Sequence, residues 1–328
     1  MGIKYFDAFA GIGGFSLGIQ QAYELQTMGT QSENSPNIKS ATSQHSERPL
    51  CVGYSEIDKY ASAVYQINFP EHKNYGDITK IDWRTVPDFD LLTGGFPCQS
   101  FSIAGKRGGF DDVRGTLFFE LAKALKEKRP KNFIFENVKG LLSHDNGDTF
   151  KTIIATLAEL GYGVEWQVLN SKNFGVPQNR ERVYIIGHLG GIPERQVFPI
   201  KGEPTKDTRS IGREISYALD ANYAKGTNTI EKSRRQIVPV LTPDRLEKRQ
   251  NGRRFKENGD PSFTLTSQDK HGIYDGMRIR RLTPLECERL QGFPDGWTEG
   301  VSDSQRYKCL GNAVTVNVIK YLISKLSN

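Results

Sequence analysis

The chain has 328 residues, enough to bury a sizeable core and long for one small domain. Its 37% hydrophobic and 25% charged content fits a soluble globular protein, and no apolar stretch approaches the ~20 residues that span a bilayer, which argues against a membrane partner. The net charge of +6 is uneven: 14 Lys/Arg stand against 7 Asp/Glu from Lys201 to Lys256, so the remainder is near neutral and that one block points either to a polyanion partner or to a merely soluble basic face.

Cys51, Cys98, Cys287 and Cys309 form no Cys-x-x-Cys pair. That argues against a zinc site, or any metal, and leaves no disulfide framework. Asp7 interrupts the only early apolar run, so no signal pattern is expected and a reducing, cytoplasmic setting is the simplest reading.

Lys4 to Phe9 reads as a first strand, Ala10 to Gly14 as a glycine-rich turn, and Phe15 to Leu25 as an amphipathic helix. Strand, glycine turn and helix N-terminus together can cradle a nucleotide-like ligand. The dinucleotide fingerprint would need glycine where Ser16 stands, and the phosphate-loop lysine is missing, so the ligand need not carry a phosphate. Residues 26–49 are rich in Ser, Thr, Asn and Gln and read as a polar surface insertion.

Leu50 to Ser55 is a second expected strand, ending in Glu56-Ile57-Asp58. An acidic residue there can hold a ribose hydroxyl pair, while Asp58 precedes the periodic helix Ala61-Val64-Tyr65 and can cap it. Gly76-Asp77-Ile78 offers another carboxylate at a strand-to-loop junction. Asp90 to Thr93 reads as a buried strand that Gly94-Gly95-Phe96-Pro97 breaks into a turn, so Cys98 falls just past its carboxyl end, where open α/β sheets place ligands. A thiol there is either a small buried hydrophobe or a nucleophile.

The run Gly105 to Phe110 is glycine-rich and basic and can act as a lid touching phosphates. Arg114 to Leu125 is expected to be an amphipathic helix, and Phe133 to Phe135 a strand ending at Glu136, on the same face of the sheet as Cys98. A strand from Gly163 to Leu169 leads to Arg180 and Arg182, which an extended chain turns to one side. They read as a solvated edge or as a clamp on a carboxylate or phosphate.

This alternation up to about Leu189 predicts an α/β protein with a doubly wound, mostly parallel sheet. Residues 190–277 read as a second, smaller irregular domain carrying the basic surplus. A helix is expected from Arg280 to Phe293, with Thr283 capping, Pro284 in the first turn and Glu286 completing a capping box. Gly311-Asn312 is expected to start the last helix, to Leu326.

Taken together, Asp7 to Gly14, Glu56 to Asp58, Gly76 to Ile78, Gly95 to Gln99, Arg114 to Phe118, Glu136 to Val138, Gln178 to Arg182, Arg281 to Cys287 and Gly311 to Val314 resemble the DNA (cytosine-5) methyltransferase family of the bacterial restriction–modification or phage type. They occur in the family's order over nearly the whole chain. The resemblance implies a Rossmann-like catalytic domain of residues 1–189 plus 311–328 that uses S-adenosyl-L-methionine and releases S-adenosyl-L-homocysteine. It implies a target-recognition domain over 190–277 and a hinge region over 278–310. Cys98 would be the nucleophile, Glu136 would hold the N3 side of cytosine, and Arg180 and Arg182 would fix the base and its phosphate, with Arg182 also supporting Glu136. Phe9, Gly11, Gly13, Glu56, Ile57, Asp77, Ile78, Pro97, Leu117 and Asn312 would surround the cofactor. Ser102, Lys106, Arg114, Gln250 and Thr264 would contact DNA. The resemblance further implies a monomer acting on double-stranded DNA, with any cognate restriction endonuclease acting on the same site without direct contact.

The chemistry needs these residue types. Carbon 5 of cytosine is a poor nucleophile, and a thiolate added at carbon 6 makes it enamine-like, so that one hard step becomes two easier ones. The target base must leave the stack, at a cost of roughly a few kcal/mol. Three other readings compete. A tRNA-acting branch shares these motifs, but its Cys-Phe-Thr signature is missing here. A relative that only binds DNA would not need Cys98, Glu136, Arg180 and Arg182 intact. A nicotinamide-dependent dehydrogenase fails at Ser16.

Overall fold

The computed structural model describes residues 2–29, 48–97, 117–200, 238–241, 243, 255–256, 260–267, 270–274 and 279–326. Cys98, Ser102, Lys106, Arg114 and Gln250 lie outside the described residues, as do the 26–49 insertion except at its ends and much of the 190–277 block. The chain divides into two units: Met1–Leu169, Glu181–Ile200 and Val318–Asn328 in the first, Asn170–Arg180 and Lys201–Asn317 in the second.

The first unit is built on six strands: β1 (Lys4–Ala8), β2 (Leu50–Ser55), β3 (Leu91–Gly95), β4 (Asn132–Val138), β5 (Tyr162–Asn170) and β6 (Glu181–Leu189). Their order is β2-β1-β3-β4-β6-β5. The pairs β1–β2, β1–β3 and β3–β4 are parallel and β4–β6 is antiparallel. The sheet is thus mostly parallel, as expected. The chain leaves β1 for β2 on one side and places β3 on the other. That reversal opens a crevice at the carboxyl ends of β1 and β3, the position where such sheets bind ligands.

Helices α1 (Gly14–Gly29), α2 (Lys59–Asn68), α3 (Leu117–Lys128) and α4 (Asp148–Glu159) connect the strands. Asp58 caps α2, accepting from the amides of Tyr60 and Ala61, and buried Ala61, Val64 and Tyr65 recur at helical spacing. In α3, Phe118, Leu121, Ala122 and Leu125 face the core with Phe6, Phe133, Phe135 and Ile185. The rings of Phe133 and Phe135 stack at 4.4 Å. Gly18 lets α1 approach the C-terminal segment closely, since a Cβ there would meet Ile319 at 2.7 Å.

The second unit contains an antiparallel sheet of β7 (Val238–Leu241), β8 (His271–Tyr274) and β9 (Ile279–Arg281), then α5 (Pro284–Gln291) and α6 (Asp303–Asn312). Helix α7 (Val316–Leu326) starts there and runs into the first unit. The capping box of Thr283 and Glu286 forms as expected. Two expectations are corrected. Arg280 belongs to β9, paired with Ile273, because the helix starts only where Thr283 caps it and Pro284 enters its first turn. Gly311 and Asn312 end α6 instead of opening the last helix, since Ala313 is extended and α7 begins at Val316. Helix α6 has no apolar stripe to read, for only Cys309, Leu310 and Gly311 are buried in it.

Candidate active site

The glycine turn closes β1. Phe9 has φ of 54°, a left-handed conformation uncommon for a side-chain-bearing residue, and Gly11 and Gly13 follow at 56° and 88°. A Cβ on Gly13 would meet the Phe69 ring at 2.7 Å, so glycine is required there by space as well as by angle. Around Gly11 the direction of a Cβ is open, with nothing within 4 Å.

Glu56, one residue beyond β2, reaches back to this turn. Its Oε2 accepts from the Gly11 amide at 2.9 Å and its Oε1 from the Asp58 amide at 2.7 Å. Burial raises the Glu56 pKa, against the lowering effect of those amides. Ile57 beside it is 75% exposed, unusual for a large apolar side chain flanked by carboxylates.

Asp77 caps a short 3-10 turn, Ile78–Lys80, and accepts from the amide and hydroxyl of Thr79 at 3.0 and 2.8 Å. These bonds hold its pKa below the usual carboxylate value. Ile78 itself is buried in the core. Asn74 braces both carboxylate loops, a residue the sequence reading missed. Its Nδ2 donates to the Glu56 carbonyl at 3.1 Å, and its Oδ1 accepts from the amides of Gly76 at 2.8 Å and Glu56 at 3.3 Å.

The second wall of the crevice is the end of β3. Gly95 is paired with Glu136 of β4 in the parallel register, so the turn that leads to Cys98 begins beside this carboxylate. Phe96 is buried against Phe118 and Phe135 and Pro97 is exposed. The Asn137 Nδ2 donates to the Phe96 carbonyl at 2.9 Å. Leu117, at the start of α3, packs partly buried against the core.

Arg182 meets Glu136 across the antiparallel β4–β6 pair. It lies opposite Val138, two positions along from Glu136 and therefore on the same face. Its Nε stands 2.9 Å from Glu136 Oε1, with side chains 14% and 11% exposed. That oxygen is buried and, among the described residues, has no aligned hydrogen bond. A carboxyl oxygen so placed retains accepting capacity for a donor brought in by a substrate.

Arg180 and Arg182 fall in different units, Arg182 in β6 of the first and Arg180 in the second. There Arg180 is buried, and its Nη1 and Nη2 donate to the carbonyls of Leu265 and Ala313, each at 2.8 Å. Gln178 acts alongside it, donating to the Leu290 carbonyl and accepting from the Leu265 amide, both at 2.8 Å. The alternation that should turn both arginines one way begins only at Glu181, where β6 starts. Thr264 donates to the Asn179 carbonyl at 2.5 Å within the same unit, and Asn312 is exposed at the end of α6.

Comparison with known proteins adds the family. Residues 3–328 match the model of the C-5 cytosine-specific DNA methylases. The type II methyltransferase M1.ScrFI of Lactococcus lactis subsp. cremoris is 40% identical, over 98% of this chain and 77% of that protein. The orphan methyltransferase M.SPRI of Bacillus phage SPR is 36% identical, over 84% of this chain and 91% of its own. Among solved structures, the Dnmt2 methyltransferase of S. pombe shares the fold with a TM-score of 0.67 at 20% identity, covering 98% of this chain and 97% of the other. A crevice at the switch point of a mostly parallel sheet, lined by these motifs, accords with that membership: the chain belongs to the C-5 cytosine-specific DNA methylases and is a DNA (cytosine-5-)-methyltransferase.

Proposed function

We propose that the enzyme takes its methyl group from S-adenosyl-L-methionine and places it on carbon 5 of a cytosine flipped out of a specific double-stranded DNA sequence, through a covalent Cys98 adduct. The observation that carries this reading is the buried Glu136–Arg182 pair at the strand end beside the Gly95–Pro97 turn. Cys98 adds to carbon 6 of the base, which makes carbon 5 nucleophilic. Glu136 holds the N3 edge and stabilises its protonated form, and Arg182 pairs with Glu136 and orients it. Arg180 acts as a positioning residue through the carbonyls it holds.

The crevice of the first unit fits the donor. Gly11 and Gly76 leave open space, Glu56 can accept from a ribose, Asp77 offers a carboxylate, and exposed Ile57 can cover an apolar ring face. Phe9, Gly13, Ile78, Pro97 and Leu117 complete that surface. When bound, S-adenosylmethionine supplies an electrophilic methyl group. Residues 190–277, with their basic surplus, serve as the target-recognition domain, whose phosphate contacts supply most of the affinity. The enzyme works as a cytoplasmic monomer, either as the modification partner of a restriction endonuclease or as a phage or orphan methylase.

A duplex carrying 5-fluorocytosine at the target tests this. The release step must remove the substituent on carbon 5 as a cation, and fluorine cannot leave so. The duplex should be methylated once and stay attached to Cys98 through denaturing electrophoresis, in an adduct that accumulates only with S-adenosylmethionine. An equal adduct with Cys98→Ala would overturn the mechanism. Efficient trapping on tRNA with none on duplex DNA would overturn the substrate.

A further inference from the structure

A buried polar chain runs beneath the glycine turn. Asp7 of β1 is fully buried, and β1–β3 register places Thr93 directly beside it. Thr93 Oγ1 donates to Asp7 Oδ1 at 3.0 Å, and Ser16 Oγ, in the first turn of α1, donates to Oδ2 at 2.9 Å. Ser16 Oγ is also 2.8 Å from Tyr65 Oη, and that hydroxyl is 3.0 Å from Nδ1 of His72. His72 is half-buried, so the chain begins at a carboxyl with no exposure and ends at a group that reaches solvent.

Every link can donate in either direction. With Asp7 ionised, protons point from Ser16 and Thr93 to the carboxylate. With Asp7 protonated, its hydroxyl donates to Ser16, Ser16 to Tyr65, and Tyr65 to His72 Nδ1, whose ring then carries its proton on Nε2. A proton taken up at His72 Nε2 releases the Nδ1 proton to Tyr65 Oη, whose own proton passes to Ser16 Oγ and that of Ser16 to Asp7, so each N–H or O–H bond broken along the chain is replaced by one formed.

The same carboxylate sets two parts of the crevice. Through Ser16 it holds the start of α1, which follows directly from the turn closed by Gly13 N to Ala10 O at 2.9 Å and Leu17 N to Gly13 O at 2.9 Å. Through Thr93 it holds the strand that leads to Cys98. We propose that Asp7 is a positioning residue of this methyltransferase, its ionised form holding the glycine turn in the shape that takes S-adenosylmethionine, with its proton exchanged through Ser16, Tyr65 and His72, so that cofactor affinity rises with pH. This rests on S-adenosylmethionine being the donor.

Other titratable groups facing this carboxylate are Tyr5 on β1, Cys51 and Glu56 on and after β2, and Tyr65 on α2. None is a cation. Burial pushes His72 down to about 4, so it is neutral near pH 7. Burial also lifts Asp7 to about 7, against the opposing bonds from Ser16 and Thr93, which puts both of its states within reach. The ionised state suits the three features around it: two hydroxyl donors, a helix N-terminus, and a donor molecule with a sulfonium charge.

Equilibrium dialysis of labelled S-adenosylmethionine without DNA, from about pH 5.5 to about pH 9, tests this by reading the Kd directly. In the wild-type protein the Kd should fall about threefold to tenfold between about pH 6 and about pH 8. Asp7→Asn should bind with a Kd near the wild-type acid-limb value at every pH. Ser16→Ala should keep the transition and move its midpoint upward, because the ionised form loses a donor; this variant carries the test should Asp7→Asn fail to fold. A pH-independent wild-type Kd would overturn the inference alone. So would a slope kept by Asp7→Asn, which would assign the titration to Glu56, or a midpoint unmoved in Ser16→Ala. No binding at any pH would overturn the cofactor reading itself.

Discussion

The Asn137 side chain holds the main-chain carbonyl of Phe96 at 2.9 Å across 41 residues of sequence. Its own Oδ1 accepts from the Val138 amide at 2.8 Å, so both ends of the amide are used and its orientation is set. One side chain thereby ties the strand end that presents Glu136 to the turn that leads to Cys98. Asn137→Ala leaves the Phe96 carbonyl unpaired near a buried ring, at about 1–3 kcal/mol. We expect kcat to fall by roughly two orders of magnitude, because positioning sets the rate of attack, while DNA affinity stays within a few-fold. Single-turnover methylation together with filter binding checks both halves.

Glu136 and Arg182 form a largely desolvated pair. Arg182→Met strands a buried carboxylate and should cost about 3–5 kcal/mol. Adding Glu136→Gln removes that charge, so the double variant should recover much of the lost stability while remaining inactive. Denaturant unfolding of the four proteins gives the coupling; strict additivity would mean that the two side chains do not interact.

The capping box of α5 allows a local test in the second unit. Thr283 accepts from the Glu286 amide at 3.2 Å, and Glu286 Oε2 accepts from the Thr283 amide at 2.7 Å. Arg280 further engages Glu286 at 2.7 Å, so the box is fixed from outside the helix too. Thr283→Ala should lower stability by about 1 kcal/mol. Urea titration measures it, and the methylated sequence should not change.

Asp7 also links folding to pH. Its carboxyl is lifted from 3.8 to about 7 in the folded chain. Between those values the folded chain holds a proton that the unfolded chain has released. Stability from this group is therefore fully present below about pH 4 and lost as pH rises toward 7. The slope reaches about 1.4 kcal/mol per pH unit. Subtracting the Asp7→Asn profile from the wild-type one isolates it from the carboxylates that Asp82 and Asp295 exemplify, which hydrogen bonds from arginines hold low and which therefore act with the opposite sign at lower pH. A difference profile that is flat or rises with pH would contradict this assignment.

Local signals were readable in the chain itself. Asp58 before Ala61-Val64-Tyr65, and Thr283-Pro284 with Glu286, carry their own start signals within one helical turn, and both caps form. A strand followed by Gly11 and Gly13 likewise carries its turn, because only glycine adopts those angles without cost. What tertiary structure decided is everything that depends on which strands become neighbours. Arg182 finds Glu136 only because β6 lies antiparallel to β4, and Asn137 finds Phe96 only because β3 lies beside β4. Arg180, two residues from Arg182, has its guanidinium taken by carbonyls of segments far along the sequence, which spacing alone could not show. Asp7 read as an interruption of an apolar run. Its partners Ser16 and Thr93 meet it only when α1 folds back and β3 pairs with β1, because a buried charge needs donors delivered by separate elements.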